Sequence, residues 1–446
     1  MNLPEGLRWG VATSAYQIEG GRHDDGKGDS IWDRFSDAGR LAQPGDVACD
    51  HRHRWREDVA LMADLGVDAY RFSVAWTRVL PDGVGAVSVS GLDFYDRLVD
   101  ELLAHGIEPW LTLYHWDLPA ALQDRGGWPV RTTVDAFVEY ADVVAGRLGD
   151  RVTHWITHNE PWVAAFLGHL YGIFAPGQAD WGAALAAGHH LLLSHGRAVE
   201  VIRAASPGAE VGLALDCRPA RPASDDPADV AATRHFDGFR NRWFFDPVFG
   251  KGYPADTLAA YRERGRFDGE VPGFVHDGDL ATIAAPIDFV GINYYTSIDV
   301  AAGAEEDDDP EGEPGPNPPE GFTEMGWRNT PSALTDFLVR VRDDYGPAQI
   351  VITENGASYS DGPGSDRVVD DPRRVAYLDA HIAAVSDAVD AGVPVTGYFV
   401  WSLLDNLEWV SGYDQRFGLV WVDHATGERI PKASYHWYRD QIHAAR

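Results

Sequence analysis

Apolar residues recur along this chain in two alternating rhythms. One is the short run of β-branched and aromatic residues that suits a buried strand; the other is the i, i+3, i+4 spacing of an amphipathic helix. Strands are predicted at residues 7–16 (LRWGVATSAY), 69–74, 108–114, 154–159, 210–215, 287–293, 350–353 and 395–401. Between them the helical rhythm covers 55–65, 94–105, 133–148, 181–205, 332–345 and 371–391, several of these stretches being closed by a glycine such as Gly66, Gly106 or Gly392. Residues 218–287 carry helical pieces, among them 227–242, within Gly-rich loops, and Ala304–Pro319 is acidic and Pro-rich, which predicts a mobile surface loop.

Strictly alternating strands and helices predict parallel strands, and eight of them predict a closed (β/α)8 TIM barrel with its reacting groups at the C-terminal strand ends. A single catalytic domain over residues 1–446 is expected, since barrels of this kind run long as one unit. The alternative is a doubly wound open sheet, which calls for a Gly-rich phosphate turn after its first strand; no G-x-G-x-x-G stands there.

Two strands share one design. In Gln349–Gly356 (QIVITENG) a β-branched run stops at Glu354 before Asn355-Gly356, a turn signal; in His154–Pro161 (HWITHNEP) another stops at Glu160. A carboxylate at a strand end faces a ligand, and two converging carboxylates are what glycosidic bond cleavage requires. The other strand ends supply Gln17, Arg71, His115 with Trp116, Asn159, Asn293 with Tyr295, and Trp401. Amides, an imidazole and carboxylates beside indoles suit the hydroxyl rim and C–H faces of a sugar better than a phosphate, nucleotide or metal.

Composition narrows the partners. Aspartate and glutamate number 69 against 37 lysines and arginines, a net charge of −32 that repels nucleic acid and anionic membranes. Lys27, Lys251 and Lys432 are the only lysines, a bias that fits GC-rich coding or a salt-adapted surface. Nothing at Met1–Gly6 resembles a secretory leader, no apolar run is long enough to span a membrane, and Cys49 and Cys217 match no disulfide or metal spacing. A cytoplasmic protein with two free thiols, without cofactor or metal, is expected. His51 and His53 fall in an Arg-rich, loop-like stretch and read as solvated or packed. Self-association is not legible.

The motifs WGVATSAYQIEG, YRFSVAW, LYHWDLP, NEP, GINYY, ITENG, WSLLDNLEW and GYDQRFGLVWVD together resemble glycoside hydrolase family 1, the β-glucosidase family, from end to end. The resemblance implies a retaining β-glycosidase with Glu354 as nucleophile and Glu160 as acid/base. It implies that Arg71 and Tyr295 hold Glu354, that Asn159 meets the 2-hydroxyl, and that Gln17, His115, Glu408 and Trp409 surround the far hydroxyls above Trp401. A carboxylate at Glu408 implies an unphosphorylated sugar, with glucose, galactose and fucose left open. His158 and Leu407 depart from the family pattern beside functional residues and bear on pocket shape or local pKa. A sugar-binding pseudoenzyme and a transglycosylase using the same residues are the alternatives, and a metal-dependent hydrolase is a third.

Overall fold

The computed structural model describes residues 3–4, 6–303 and 318–446. Eight parallel strands close into a barrel: β1 Arg8–Ala12, β2 Ala69–Ser73, β3 Glu108–Tyr114, β4 His154–Asn159, β5 Glu210–Cys217, β6 Phe289–Tyr294, β7 Ile350–Asn355 and β8 Val395–Trp401. Each strand pairs with its sequence neighbours, and β1 closes on β8 with Ala12 opposite Trp401. Strands β2, β4, β6 and β7 are buried along their whole length, so even their polar residues, such as Arg71 and Asn159, lie inside the protein.

The barrel interior is filled by Trp110, Ile156, Phe289, Val351 and Phe399, with Ala12, Ala69 and Ala214 between them. Large and small side chains from neighbouring strands interlock into a solid plug below the mouth. Gly10 belongs to that fit, because a Cβ there would lie 2.3 Å from the Phe399 ring. The outer ring includes helices His51–Leu65, Val89–Ala104, Thr132–Leu148, Trp181–Ala205, Pro331–Tyr345 and Pro372–Asp390. Among the described residues no helix is long and apolar enough to cross a membrane.

Some expectations change. The first strand ends at Ala12, and Ala15–Ile18 is a short helix that carries Gln17. His51 and His53 belong to a helix rather than a loop; His51 is buried 2.7 Å from Asp58, which also accepts from Arg429, and His53 is 2.6 Å from Asp50. Strand β5 runs two residues beyond its apolar stretch. Two small sheets outside the barrel were not foreseen: Val420–Asp423 with Glu428–Pro431, and Ala220–Pro222 with Ile298–Val300. The acidic stretch expected to be a mobile loop lies, over residues 304–317, outside the described residues.

Candidate active site

Both strands that end in the paired carboxylates carry one extra residue just before them. Between Ile156 and Asn159, β4 advances three residues while β5 advances two, and between Ile352 and Glu354, β7 advances two while β6 advances one. A bulge of this kind re-aims the side chains that follow it. Glu160 then takes φ 48°, a left-handed conformation uncommon for a side chain of this size, and its amide is held by Ala214 O at 2.8 Å. Trp116 (φ 78°) and Trp409 (φ 46°) share that backbone region at the same mouth.

Glu160 and Glu354 line one cavity, and their surroundings differ. Glu354 Oε1 accepts from Arg71 Nη1 at 2.6 Å and Oε2 accepts from the Tyr295 hydroxyl at 2.6 Å. Glu160 Oε1 accepts from the neutral Asn293 amide at 2.7 Å. Burial raises both carboxyls; at Glu354 the Arg71 charge and the Tyr295 hydrogen bond work against it. Glu160 is driven further, well above the ordinary carboxyl range, by burial and by the nearby charges of Asp216 and Glu354. One carboxyl is thus kept closer to its ionised form while the other keeps its proton, the division of labour that acid-assisted displacement at an anomeric carbon needs.

A polar lattice beneath them fixes the geometry. Asn159 Oδ1 accepts from Arg71 Nη2 (2.5 Å) and Asn293 Nδ2 (3.0 Å), and since both partners only donate, the orientation of its amide is set. Its Nδ2 faces His115 Nε2 at 3.1 Å. Burial, and after it the Arg71 charge, pushes His115 well below its ordinary range, so the ring is neutral and accepts. Asn293 is completed by Thr353 Oγ1, which donates to its Oδ1 at 2.6 Å.

Aromatic residues wall the cavity. Trp401 lies nearly parallel to His115, and Trp409 packs against Trp116 with ring centroids 4.5 Å apart. Trp116 also donates its indole N–H to Asn159 O at 2.9 Å. Glu408 lines the same space. Gln17 is not on the wall of that cavity; it is fully buried, its amide engaged by Ser14, Asn406 and Leu407 O. His158 points away from the mouth. It stacks on Phe137 at 4.4 Å and meets Ser194 Oγ at 2.8 Å, between the barrel and its helices, where burial keeps it neutral.

Sequence reasoning passed over a further charged pair on the wall, Asp216 and Arg240. The strand-end rule points to Asp216, but the apolar run of β5 stops at Leu215 and hides the true end of the strand.

The family model described as glycosyl hydrolase family 1 matches residues 1–446. The chain belongs to that family. Among family 1 relatives, β-glucosidase A of Acetivibrio thermocellus is 44% identical, with 99% of this chain and 98% of the relative covered. Thermostable β-glucosidase B of Thermobispora bispora is 48% identical, over 99% of this chain and 91% of its own length. The solved family 1 β-glucosidase of Thermotoga maritima superposes with a TM-score of 0.92 at 44% identity, covering 99% of this chain and 98% of that one. The chain is therefore a glycoside hydrolase.

Proposed function

We propose that this protein is a retaining β-glucosidase, one catalytic domain over residues 1–446, that releases terminal non-reducing β-D-glucosyl residues from unphosphorylated glycosides and short oligosaccharides such as cellobiose. The observation that carries the reading is the pair of unlike carboxyls on one cavity wall, Glu354 bound by Arg71 and Tyr295, and Glu160 buried beside a neutral amide. Glu354 attacks the anomeric carbon as the bond to the aglycone breaks, and the Glu160 proton goes to the leaving oxygen. Glu160, now ionised, takes a proton from water whose oxygen bonds to the anomeric carbon and frees Glu354. Loss of the Glu354 charge in the ester makes Glu160 easier to ionise at that moment, which suits the switch from acid to base.

Glu408 on the wall supports an unphosphorylated sugar, because a carboxylate repels a phosphate. Trp401 and Trp409 offer flat apolar faces to the C–H side of the ring, with His115 and Glu408 at the hydroxyl rim. The test is incubation with a 2-fluoro β-glucoside bearing an activated leaving group, followed by peptide mass mapping. One fluoroglucosyl adduct on Glu354 is the expected result. Turnover without an adduct, or an adduct elsewhere, overturns the reading, and neither turnover nor adduct supports a sugar-binding protein instead.

A further inference from the structure

Strand β5 brings a third carboxylate to the cavity. Asp216 stands opposite Asn293 in the β5–β6 register and two residues beyond Ala214, which faces the barrel interior and accepts the Glu160 amide. Residues two apart on a strand share a face, so Asp216 is aimed into the mouth, where it lines the cavity with Glu160 and Glu354. Arg240 Nη2 lies 2.5 Å from Asp216 Oδ2, the two side chains being 6% and 11% exposed. The guanidinium is pressed in turn onto Trp162, its Cζ 3.4 Å from the ring centroid, and Trp162 follows Glu160 by two residues. The acidic wall is therefore fixed from two sides, by a strand and by the Gly238–Arg242 segment.

Charged and hydrogen-bonding groups reach the surroundings of Glu160 from several elements. Strand β7 contributes Glu354, and β2 contributes Arg71, bound to Glu354 and Asn159. Asn293 and Tyr295 come from the end of β6, Asp216 from β5 and Arg240 from the 238–242 segment. After burial, Asp216 raises the Glu160 carboxyl more than Glu354 does, and Arg240 offsets only part of it.

We propose that Asp216, fixed by Arg240, is a positioning residue for the general-acid half of the reaction, its negative charge holding the proton on Glu160 until the aglycone leaves. The inference rests on the assignment of Glu160 as acid/base made above. Asp216 acts through Glu160 and takes part in no bond change itself. In the second half of the reaction the same charge makes Glu160 a stronger base toward water.

The test is the pH profile of kcat/KM for an alkyl β-glucoside, whose leaving group needs protonation. It is measured for the wild type, Asp216→Asn and Asp216→Glu; Asp216→Ser, with less bulk, carries the same expectation should the Asn variant fold poorly. The basic limb reports deprotonation of Glu160. Removing the charge moves that limb down by about 0.5 to 1 pH unit, and Asp216→Glu restores it. An unmoved basic limb, or activity lost equally at every pH, assigns Asp216 a purely structural role and overturns the proposal. Glu160→Ala is run alongside with an activated aryl glucoside: if that variant is no better with the activated substrate than with the alkyl one, Glu160 is not the acid and the parent reading fails. If it is better and the Asp216→Asn limb stays put, only the role of Asp216 fails.

Discussion

Arg71 divides its guanidinium between two site residues, Nη1 lying 2.6 Å from Glu354 Oε1 and Nη2 lying 2.5 Å from Asn159 Oδ1. One side chain on β2 thereby ties the end of β7 to the end of β4 across the mouth. Arg71→Met removes both links and leaves Glu354 buried without its counter-ion. The expected result is a loss in kcat/KM on the order of 100-fold or more, with the acid limb of the profile moved to higher pH because Glu354 ionises less readily. Tyr295→Phe moves the same limb in the same direction by less. A pH profile whose acid limb stays in place in both variants refutes the stabilisation of ionised Glu354.

Glu160→Ala separates acid catalysis from the rest of the site. With an alkyl β-glucoside, kcat/KM should fall by roughly 100- to 10,000-fold, the range typical of a lost general acid. With a dinitrophenyl glucoside, which needs no proton, the first step should be nearly intact and the glucosyl enzyme should accumulate. A pre-steady-state burst of dinitrophenolate is the readout.

Gly356 looks like half of an Asn-Gly turn, yet Asn355 is the last residue of β7 and the glycine is there for close approach. A Cβ on it would stand 1.8 Å from Trp401 O. Gly356→Ala should push the end of β8 and the Trp401 indole outward, so KM for glucosides rises and the melting temperature falls. Substrate kinetics and a thermal melt on the same preparation check both.

Asp117 follows the β3 end into a buried pocket where its Oδ1 has no hydrogen-bond partner among the described residues, and burial raises its carboxyl to about 7. The folded protein therefore keeps a proton that the unfolded chain releases near pH 4. This contribution to stability is complete below about pH 4, declines by about 1.4 kcal/mol per pH unit above it, and is gone once pH passes about 7. Asp117→Asn should be more stable than the wild type near pH 7, with the advantage shrinking toward pH 4. Urea denaturation at four or five pH values gives the slope directly.

The barrel was legible because its strands are built around short apolar runs and its helices are amphipathic, so the alternation of rhythms survives in sequence. Glu160, Glu354, His115 and Trp401 were legible for the same reason, each standing where an apolar run stops. Asp216 was not, because β5 continues through Asp216 and Cys217 after its apolar residues end, and hydrogen bonding to β6 rather than hydrophobicity defines its last two positions. Gln17 reads in sequence as a strand-end residue, yet the strand stops five residues before it. Its place in a short helix, amide already engaged, depends on contacts with residues 406 and 407 that are far away in the chain.

The extra residue in β4 and in β7 gives this site a property that point substitutions do not reveal. Each carboxylate is held in phase with the mouth by one surplus peptide unit, while below it β4 with β5 and β7 with β6 stay in ordinary register. Deleting a single residue ahead of either glutamate would rotate that acid out of the cavity and leave most of the barrel hydrogen bonds closed. A chain so altered could still fold and present its indoles to a sugar, yet have no second acid with which to cut it. On the roles proposed for Glu160 and Glu354, a catalyst and a sugar-binding protein stand one codon apart in this architecture.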